Sequence, residues 1–187
     1  FQYGNQRKGN IDTLKIFCEK NKIELEEIGL ILNDHNSNKI SSSAIRENLK
    51  SGKFELANKD LERNFSVAGK VIKGDQRGRT IGIPTANLEY PLNTITIPYG
   101  VYAVETIIEG NTYFGIVNFG IRPTFNKDKP IVEAYLFDFD NDIYDKDIEI
   151  LFHKQIRQEK KFNDIKELLN QINIDIAEAK KILKYGN

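Results

Sequence analysis

The sequence from residue 99 to residue 119 is YGVYAVETIIEGNTYFGIVNF. Its apolar residues form short runs of β-branched and aromatic side chains, which are typical of β-strands. The segment Glu109-Gly110-Asn111 divides the stretch and is typical of a hairpin turn. The stretch therefore predicts two antiparallel strands joined by a tight turn.

Segments of the same kind lie on both sides of this hairpin. They cover residues 65–72, 131–139 and 148–152, with Gly, Pro and Asn between them. Five or six short strands in succession predict a small antiparallel barrel or sandwich. The tail differs, because the apolar residues of 165–183 follow a helical stripe. The pattern predicts a C-terminal helix with a candidate break at residues 173–175.

The residues before this region predict an α/β arrangement. Asn10 can cap one helix, and Ser41–Ser43 can cap another that ends near Gly52. Residues 23–32 are strand-like, and a second short helix is expected at about 53–62. The change in character near residue 62 predicts two domains, 1–62 and 63–187.

Charge and composition narrow the classes of protein. The chain has 187 residues, with 27 basic and 27 acidic side chains and a net charge of zero. Residues 101–150 carry 4 basic against 10 acidic residues, and we expect the acidic stretch 138–149 to be structural. Nucleic acids and anionic membranes favour a basic surplus, so neither is an expected partner.

Cysteine and histidine are scarce. Cys18 has no second cysteine to pair with, and His35 and His153 do not make a zinc set. With no leader or apolar span in the sequence, we expect a cytoplasmic protein. The chain contains no methionine and opens on Phe1, so we expect either a fragment or a sequence from which residues are missing.

The densest chemical signal is GDQRGRTIGIPTANL at residues 74–88. Glycines let backbone N–H groups approach a ligand, and arginines neutralise charge, which suits a polyphosphate. The candidate residues are Gly74, Arg77, Gly78, Arg79 and Gly82. Thr85 and Asn87 face one side of an extended segment, where their neutral oxygens suit Mg²⁺. The alternative is a glycine-rich hairpin loop with a structural turn.

Glu133 is the candidate proton acceptor. Alternation places it with Tyr135 and Phe137 on one face of a strand, where it could point into a barrel mouth and accept a hydroxyl proton. The alternative is a solvent-facing residue of an amphipathic strand. Two further segments, 120–125 and 157–162, carry arginines, and taken in isolation each is better interpreted as a surface turn with ordinary charges.

These segments occur together in a definite order, and the series resembles the riboflavin kinase family over residues 65 to about 183. The motifs are G-x-x-R-G-R-x-x-G-x-P-T-A-N, P-x-G-V-Y-A at 98–103, N-x-G-x-R-P-T-F at 118–125, V-E-x-x-L-x-D-F at 132–139 and R-x-E-x-K-F at 157–162. FQYGNQRKG at 1–9 and ISSSAIR at 40–46 resemble the end of the nucleotidyltransferase module in bacterial bifunctional riboflavin kinase/FAD synthetases.

The resemblance implies a mainly β fold. It would be a small antiparallel, Greek-key-like β-barrel of riboflavin kinase type with a C-terminal helix. An α/β remnant of a Rossmann-like nucleotidyltransferase domain would precede it. The module's H-x-G-H motif is not found in this sequence, so the chain is not expected to be a complete FMN adenylyltransferase; an intact parent would also make FAD.

The resemblance also implies roles for residues. ATP would phosphorylate the 5′-hydroxyl of riboflavin to give FMN, with the glycine loop around the ADP phosphates. Thr85 and Asn87 would hold Mg²⁺, and Glu133 would deprotonate the hydroxyl. Arg157 and Glu159 would lie in a flap over flavin and nucleotide. In the nucleotidyltransferase remnant, the residues implied to receive phosphates are Ser41, Ser42, Ser43 and Arg46.

Two other classes compete with a kinase. One is a barrel that binds a flavin or nucleotide without turnover. The other is a nucleic-acid-binding barrel of the OB type, against which the acidic middle of the chain argues. The sequence leaves the oligomeric state open.

Overall fold

The structure is a computed structural model that describes residues 2–29, 39–74, 76–91, 93–121 and 130–186. The chain divides into two compact units, Phe1–Ile40 and Ser41–Asn187. The first is small and its described part is mainly helical, whereas the second contains the strands named below.

The second unit is built on a closed antiparallel barrel. Within the described residues its strands are β1 (Phe65–Ile72), β2 (Ala86–Glu89), β3 (Gly100–Ile108), β4 (Asn111–Ile121), β5 (Pro130–Leu136) and β6 (Asp147–Gln158). Their order around the barrel is β1-β2-β5-β4-β3-β6. Because β6 lies beside β3 in the β3–β4–β5 meander, these strands form a Greek key. The predicted antiparallel barrel is confirmed, and β2 is the strand that the pattern of segments missed.

The barrel interior is filled by one face of each strand. Its buried residues include Val67, Val71, Leu88, Tyr102, Val104, Val117, Phe119, Val132, Ala134, Leu136, Ile148, Ile150 and Phe152. Buried tyrosines need a partner for the hydroxyl. The Tyr102 hydroxyl donates to the Pro98 carbonyl, and burial raises the pKa of this phenol.

The β3–β4 connection is a two-residue hairpin. Glu109 and Gly110 have φ values of 49° and 81°, and Ile108 pairs with Asn111 across the turn. Two successive positive φ values are typical of a type I′ turn, whose twist matches that of paired strands. The hairpin predicted from Glu109-Gly110-Asn111 is confirmed.

The C-terminal helix α5 (Ile165–Ile182) packs on the outside of the barrel. The Asp164 side chain caps it by accepting from the Glu167 N–H at 2.7 Å. Its buried face contacts outward residues of β3, β4 and β6, among them Val101, Ile116 and Ile156, and also Phe137, which follows β5. The predicted break at residues 173–175 is wrong, because α5 continues through them. No helix in the described ranges has the length and apolarity needed to cross a membrane.

Two short helices, α2 (Ser42–Lys50) and α3 (Phe54–Leu61), precede the barrel and share its core. The Phe54 ring centroid lies 5.2 Å from that of Tyr102 and 5.9 Å from that of Phe152. Both helices were predicted. The division into domains 1–62 and 63–187, based on the change in sequence character near residue 62, stays a prediction.

The first unit differs from its expected fold. A 3₁₀ turn (Asn5–Arg7) precedes α1 (Ile11–Asn21), which Asn10 caps through the Thr13 N–H at 3.0 Å, as predicted. Residues 23–29 form no strand, and residues 30–32 lie outside the described residues. Ile23 and Ile28 are 52% and 80% exposed, so the apolar pattern that suggested a strand buries little. The expected α/β, Rossmann-like remnant is therefore wrong.

Candidate active site

Three polar side chains form a row across neighbouring strands. The register pairs Asn87 of β2 with Glu133 of β5, and Glu133 with Asn118 of β4. Directly opposed residues of an antiparallel pair lie on the same face with Cβ atoms about 5 Å apart. The chain neighbours of Glu133, Val132 and Ala134, belong to the barrel core. The row therefore faces outward, and Glu133 does not point into the barrel.

The first cavity, with a volume of about 460 Å³, lies over this row. Its floor contains Asn87, Glu133 and Asn118, and its apolar wall contains Val101, Ile116, Tyr135 and Ile172. The loop before β2 and the segment after β6 complete it through Gln76, Gly78, Ile81, Ile83, Glu159, Lys160 and Phe162. Apolar walls with a few convergent polar groups are typical of small-molecule sites. Glu133 is half-buried beneath this cavity and does not lie on an open solvent face.

A second cavity of about 460 Å³ is lined in part by Val71, Ala134 and Leu136, which belong to the barrel core. Its other apolar residues are Pro84, Ala86, Phe139, Ile143 and Tyr144, and its polar residues include Arg79, Asp140, Asn141 and Asp142. The sequence did not predict this cavity, and part of the acidic stretch expected to be structural contributes to its wall.

Thr85 lines both cavities. It precedes β2, two residues before Asn87, whose side-chain amide donates to the Thr85 carbonyl at 3.4 Å. Asn87 is only 3% exposed. The two cavities therefore meet at Thr85, next to the Asn87–Glu133 pair.

The loop before β2 is held in a tight conformation. One helical turn, α4 (Arg77–Thr80), lies within it, and the Ile83 N–H donates to the Gly78 carbonyl at 2.8 Å. A Cβ atom on Gly78 would lie 2.1 Å from the Ile83 carbonyl oxygen, so only glycine permits this approach. The loop is therefore built to fix the segment that leads into Thr85.

The other loop residues proposed from the sequence have different positions. Arg79 lines the second cavity and Gly78 the first. Gly74 follows β1 and Gly82 has a φ of 79°, and neither belongs to either lining. The backbone of Arg77 lies in α4, but its side chain and Asp75 are outside the described residues.

Arg157, at the end of β6, forms a wall of the first cavity. Its Nε donates to both carboxylate oxygens of Asp175 in α5, at 3.0 and 2.9 Å. Its guanidinium carbon lies 5.6 Å from the centroid of the Phe162 ring. Glu159 lies close to Gly120, where an added Cβ would be 2.2 Å from a Glu159 carboxylate oxygen. Both residues predicted for the flavin flap therefore border the first cavity.

The comparisons with known proteins agree with this architecture. The family model described as "Flavokinase: Riboflavin kinase" matches residues 61–183. The chain belongs to the riboflavin kinase family.

Relatives of this riboflavin kinase family member are longer. The bifunctional riboflavin kinase/FMN adenylyltransferase of Bacillus subtilis is 42% identical over 188 residues, covering 96% of this chain and 57% of the relative. That of Pseudomonas fluorescens is 33% identical over 183 residues, covering 97% and 58%. A Streptococcus pneumoniae crystal structure, described as a macrolide-efflux protein, superposes with a TM-score of 0.84 at 30% identity and covers 97% of this chain and 57% of its own. The chain thus spans a little over half of these proteins.

The residues predicted for a second phosphate site lie elsewhere in this riboflavin kinase family member. Ser41 is the N-cap of α2, where its hydroxyl accepts from the Ala44 N–H at 3.2 Å. Ser42, Ser43 and Arg46 are exposed on the same helix. In the described part of the chain, none of the four lines either cavity. Their phosphate-binding role stays a prediction.

Two site residues escaped the sequence analysis. Asn118 was quoted only as the start of a motif that continues into residues 122–125, which lie outside the described residues. Asp175 was taken as part of a helix break. A carboxylate three residues after Ile172, on the apolar stripe of α5, is a signal that it has a buried partner.

Proposed function

We propose that this protein is a riboflavin kinase. It transfers the γ-phosphate of ATP to the 5′-hydroxyl of riboflavin and releases FMN and ADP. The observation that carries the proposal is that two cavities meet at Thr85, next to the paired Asn87 and Glu133. A transfer between two bound substrates needs two such sites in contact. Membership of the riboflavin kinase family supports riboflavin and ATP as the substrate pair.

The linings support an assignment of each substrate to one cavity. The first cavity, with Tyr135 and Ile116 on its apolar wall and Glu133 on its floor, suits a flat flavin ring with a hydroxylated chain. The second cavity offers Phe139 and Tyr144 to an adenine ring. Arg79 in the same lining supplies positive charge for the ATP phosphates.

Mg²⁺ is part of the proposal, and the donor set at the junction fits it. The Thr85 hydroxyl and the Asn87 amide oxygen are neutral, hard oxygen donors, which suit Mg²⁺ when phosphates complete the coordination. In the described ranges, no cluster of three or more His, Cys, Asp and Glu is arranged to hold a metal ion. The bound ion would neutralise charge on the transferred phosphoryl group.

Glu133 is proposed as the base. As the 5′-oxygen forms its bond to the γ-phosphorus, the bond from that phosphorus to the β–γ bridging oxygen breaks, and its electron pair leaves with ADP. The hydroxyl proton passes to the Glu133 carboxylate. Phosphoryl transfer depends mainly on positioning and charge stabilisation, so the fixed Gly78–Ile83 loop contributes by holding the approach to Thr85.

The test is turnover with both substrates. The protein is incubated with ATP, Mg²⁺ and riboflavin, ADP release is followed, and the flavins are separated by chromatography. We expect equal amounts of ADP and FMN, and no ADP above background when riboflavin is omitted. Binding of riboflavin without any ADP or FMN would favour the alternative, a barrel that binds a flavin or nucleotide without turnover.

Adenylylation of FMN to FAD is proposed only for a longer parent protein, as the names of the relatives suggest. In such a parent, residues 1–62 would be the end of the adenylyltransferase domain, and Ser41–Arg46 would contribute to its phosphate site. We propose that the riboflavin kinase acts in the cytoplasm, where ATP is abundant. Riboflavin, FMN and ATP are the proposed ligands.

A further inference from the structure

Asp175 is a buried carboxylate on the apolar face of α5. Its side chain is 1% exposed, and the nearby residues Ile172, Ile176 and Ala179 pack against the barrel. Removing a charge from water is unfavourable unless the charge is paired and hydrogen-bonded. Asp175 therefore needs its partners, and these partners border the first cavity.

The partners fix one side chain in detail. Arg157 Nε donates to Oδ1 and Oδ2 of Asp175 at 3.0 and 2.9 Å, and its Nη2 lies 2.9 Å from Oδ2. Gln171 Nε2 donates to Oδ1 at 3.0 Å. Arg157 Nη1 donates to the Gln158 carbonyl at 3.0 Å. Several bonds to one planar group leave it a single orientation.

The fixed guanidinium retains hydrogen-bonding capacity. Arginine has five N–H donors, and the bonds described above occupy one on each of its three nitrogens. The Arg157 side chain is 20% exposed, and it lines the first cavity together with Phe162. A ligand entering this cavity would meet a guanidinium whose orientation is already set.

We infer that Asp175 is a positioning residue that acts through Arg157. It holds the guanidinium in the wall of the first cavity so that riboflavin binds to a preordered surface. This inference rests on the proposed function, since it takes riboflavin as the ligand of that cavity. Preorganisation lowers the entropy lost on binding, so the effect belongs to flavin affinity.

A double-mutant cycle tests the inference. The variants are Asp175→Asn, Arg157→Gln and both together, and riboflavin dissociation constants are measured from quenching of flavin fluorescence. We expect each single variant to weaken riboflavin binding about tenfold or more, with the KM for ATP changed less than twofold. We expect the double variant to match Arg157→Gln, because two residues that act as one unit are not additive.

Glu178→Gln is the matched control. Glu178 is an acidic residue on the same helix, with a half-exposed side chain 3.6 Å from the Lys181 amine. The affinity of the Glu178→Gln variant for riboflavin should equal that of the wild type. Thermal melting of every variant separates a folding defect from a binding defect. If Asp175→Asn does not fold, the double variant, which removes both charges, is compared with Arg157→Gln alone.

Each of the other possible outcomes of the double-mutant cycle would contradict one part of the inference. Additive losses would mean that Asp175 affects riboflavin binding independently of Arg157. Unchanged riboflavin affinity in Asp175→Asn, with a lower melting temperature alone, would mean that the pair only joins α5 to β6. If the wild-type protein neither binds riboflavin nor makes FMN, the proposed function fails as well.

Discussion

Glu133 lies opposite Asn87 in the β2–β5 pair and next to Asn118 in the β4–β5 pair, on the outer face of the barrel. It is the carboxylate on the floor of the first cavity beside the Thr85 junction. At the scale of single residues, the proposed chemistry therefore depends on strand register. A shift of one residue would turn Glu133 towards the core.

Replacing Glu133 with Gln preserves the shape of the side chain and removes the base. We expect kcat to fall by roughly 10²–10⁴, the usual effect of losing a general base, with little change in affinity for ATP or riboflavin. Steady-state kinetics measure this. Glu89→Gln is the control, because Glu89 is exposed on β2 and lies outside both cavity linings. A variant at Glu133 with wild-type kcat would exclude it as the base.

Thr85→Val and Asn87→Leu remove the proposed Mg²⁺ ligands with little change in size. We expect each variant to need much more Mg²⁺ than the wild type or to remain inactive at any concentration, because Mg²⁺ favours near-ideal octahedral oxygen coordination. The measurement is initial rate against Mg²⁺ concentration at constant ATP. If the Mg²⁺ titration curves of the variants match that of the wild type, Mg²⁺ binds at another position.

Elements of the site are arranged by close backbone contacts as well as by side chains. Gly78→Ala would bring a Cβ within 2.1 Å of the Ile83 carbonyl oxygen. We expect the loop before β2 to shift, Thr85 to move with it, and kcat to fall roughly tenfold to a hundredfold, as small misplacements do.

Gly110→Ala is the control for this loop variant. Gly110 has a φ of 81° in the β3–β4 hairpin, with no atom near its absent Cβ. Alanine there should cost about 1 kcal/mol of stability through backbone strain, without affecting kcat. Melting temperature and kcat of the two variants are compared. Equal kcat values would show that the Gly78 contact does not set the site.

The secondary-structure elements also show which features of the fold the sequence could predict. Strand periodicity predicted β1 and β3 to β6, and the Glu109-Gly110 turn predicted the hairpin, because both are local signals. The same periodicity missed β2 and wrongly predicted a strand beginning at residue 23, where residues 23–29 form none. The break at 173–175 was wrong because Asn and Asp disfavour helices only weakly. Gln171 also donates to Asp175 one turn further along α5, and Arg157 bonds Asp175 to β6. The site residues came from motifs, but the second cavity and Asp175 depend on segments distant in sequence, which no local pattern brings together.

At the scale of the whole molecule, the prediction concerns the product. The chain carries the proposed kinase site but not the H-x-G-H motif of an adenylyltransferase, and it spans 57% of its Bacillus subtilis relative. With ATP, Mg²⁺ and riboflavin we expect FMN to accumulate and no FAD to follow. Chromatography of the flavins over time measures this. FAD formed at a rate similar to that of FMN would contradict the prediction.

The barrel closes through β1 and β6, where Phe65 pairs with Phe152 and Lys70 with Asp147. These partners are far apart in the chain, whereas the β3–β4 hairpin joins neighbours. Bringing distant segments together costs chain entropy before any contact compensates for it. The hairpin alone can form in about 1–10 μs, but refolding of the barrel should take milliseconds to seconds, as in proteins of high contact order. During that interval the last strands to pair expose their edges, so dilute refolding conditions should improve recovery of the native protein.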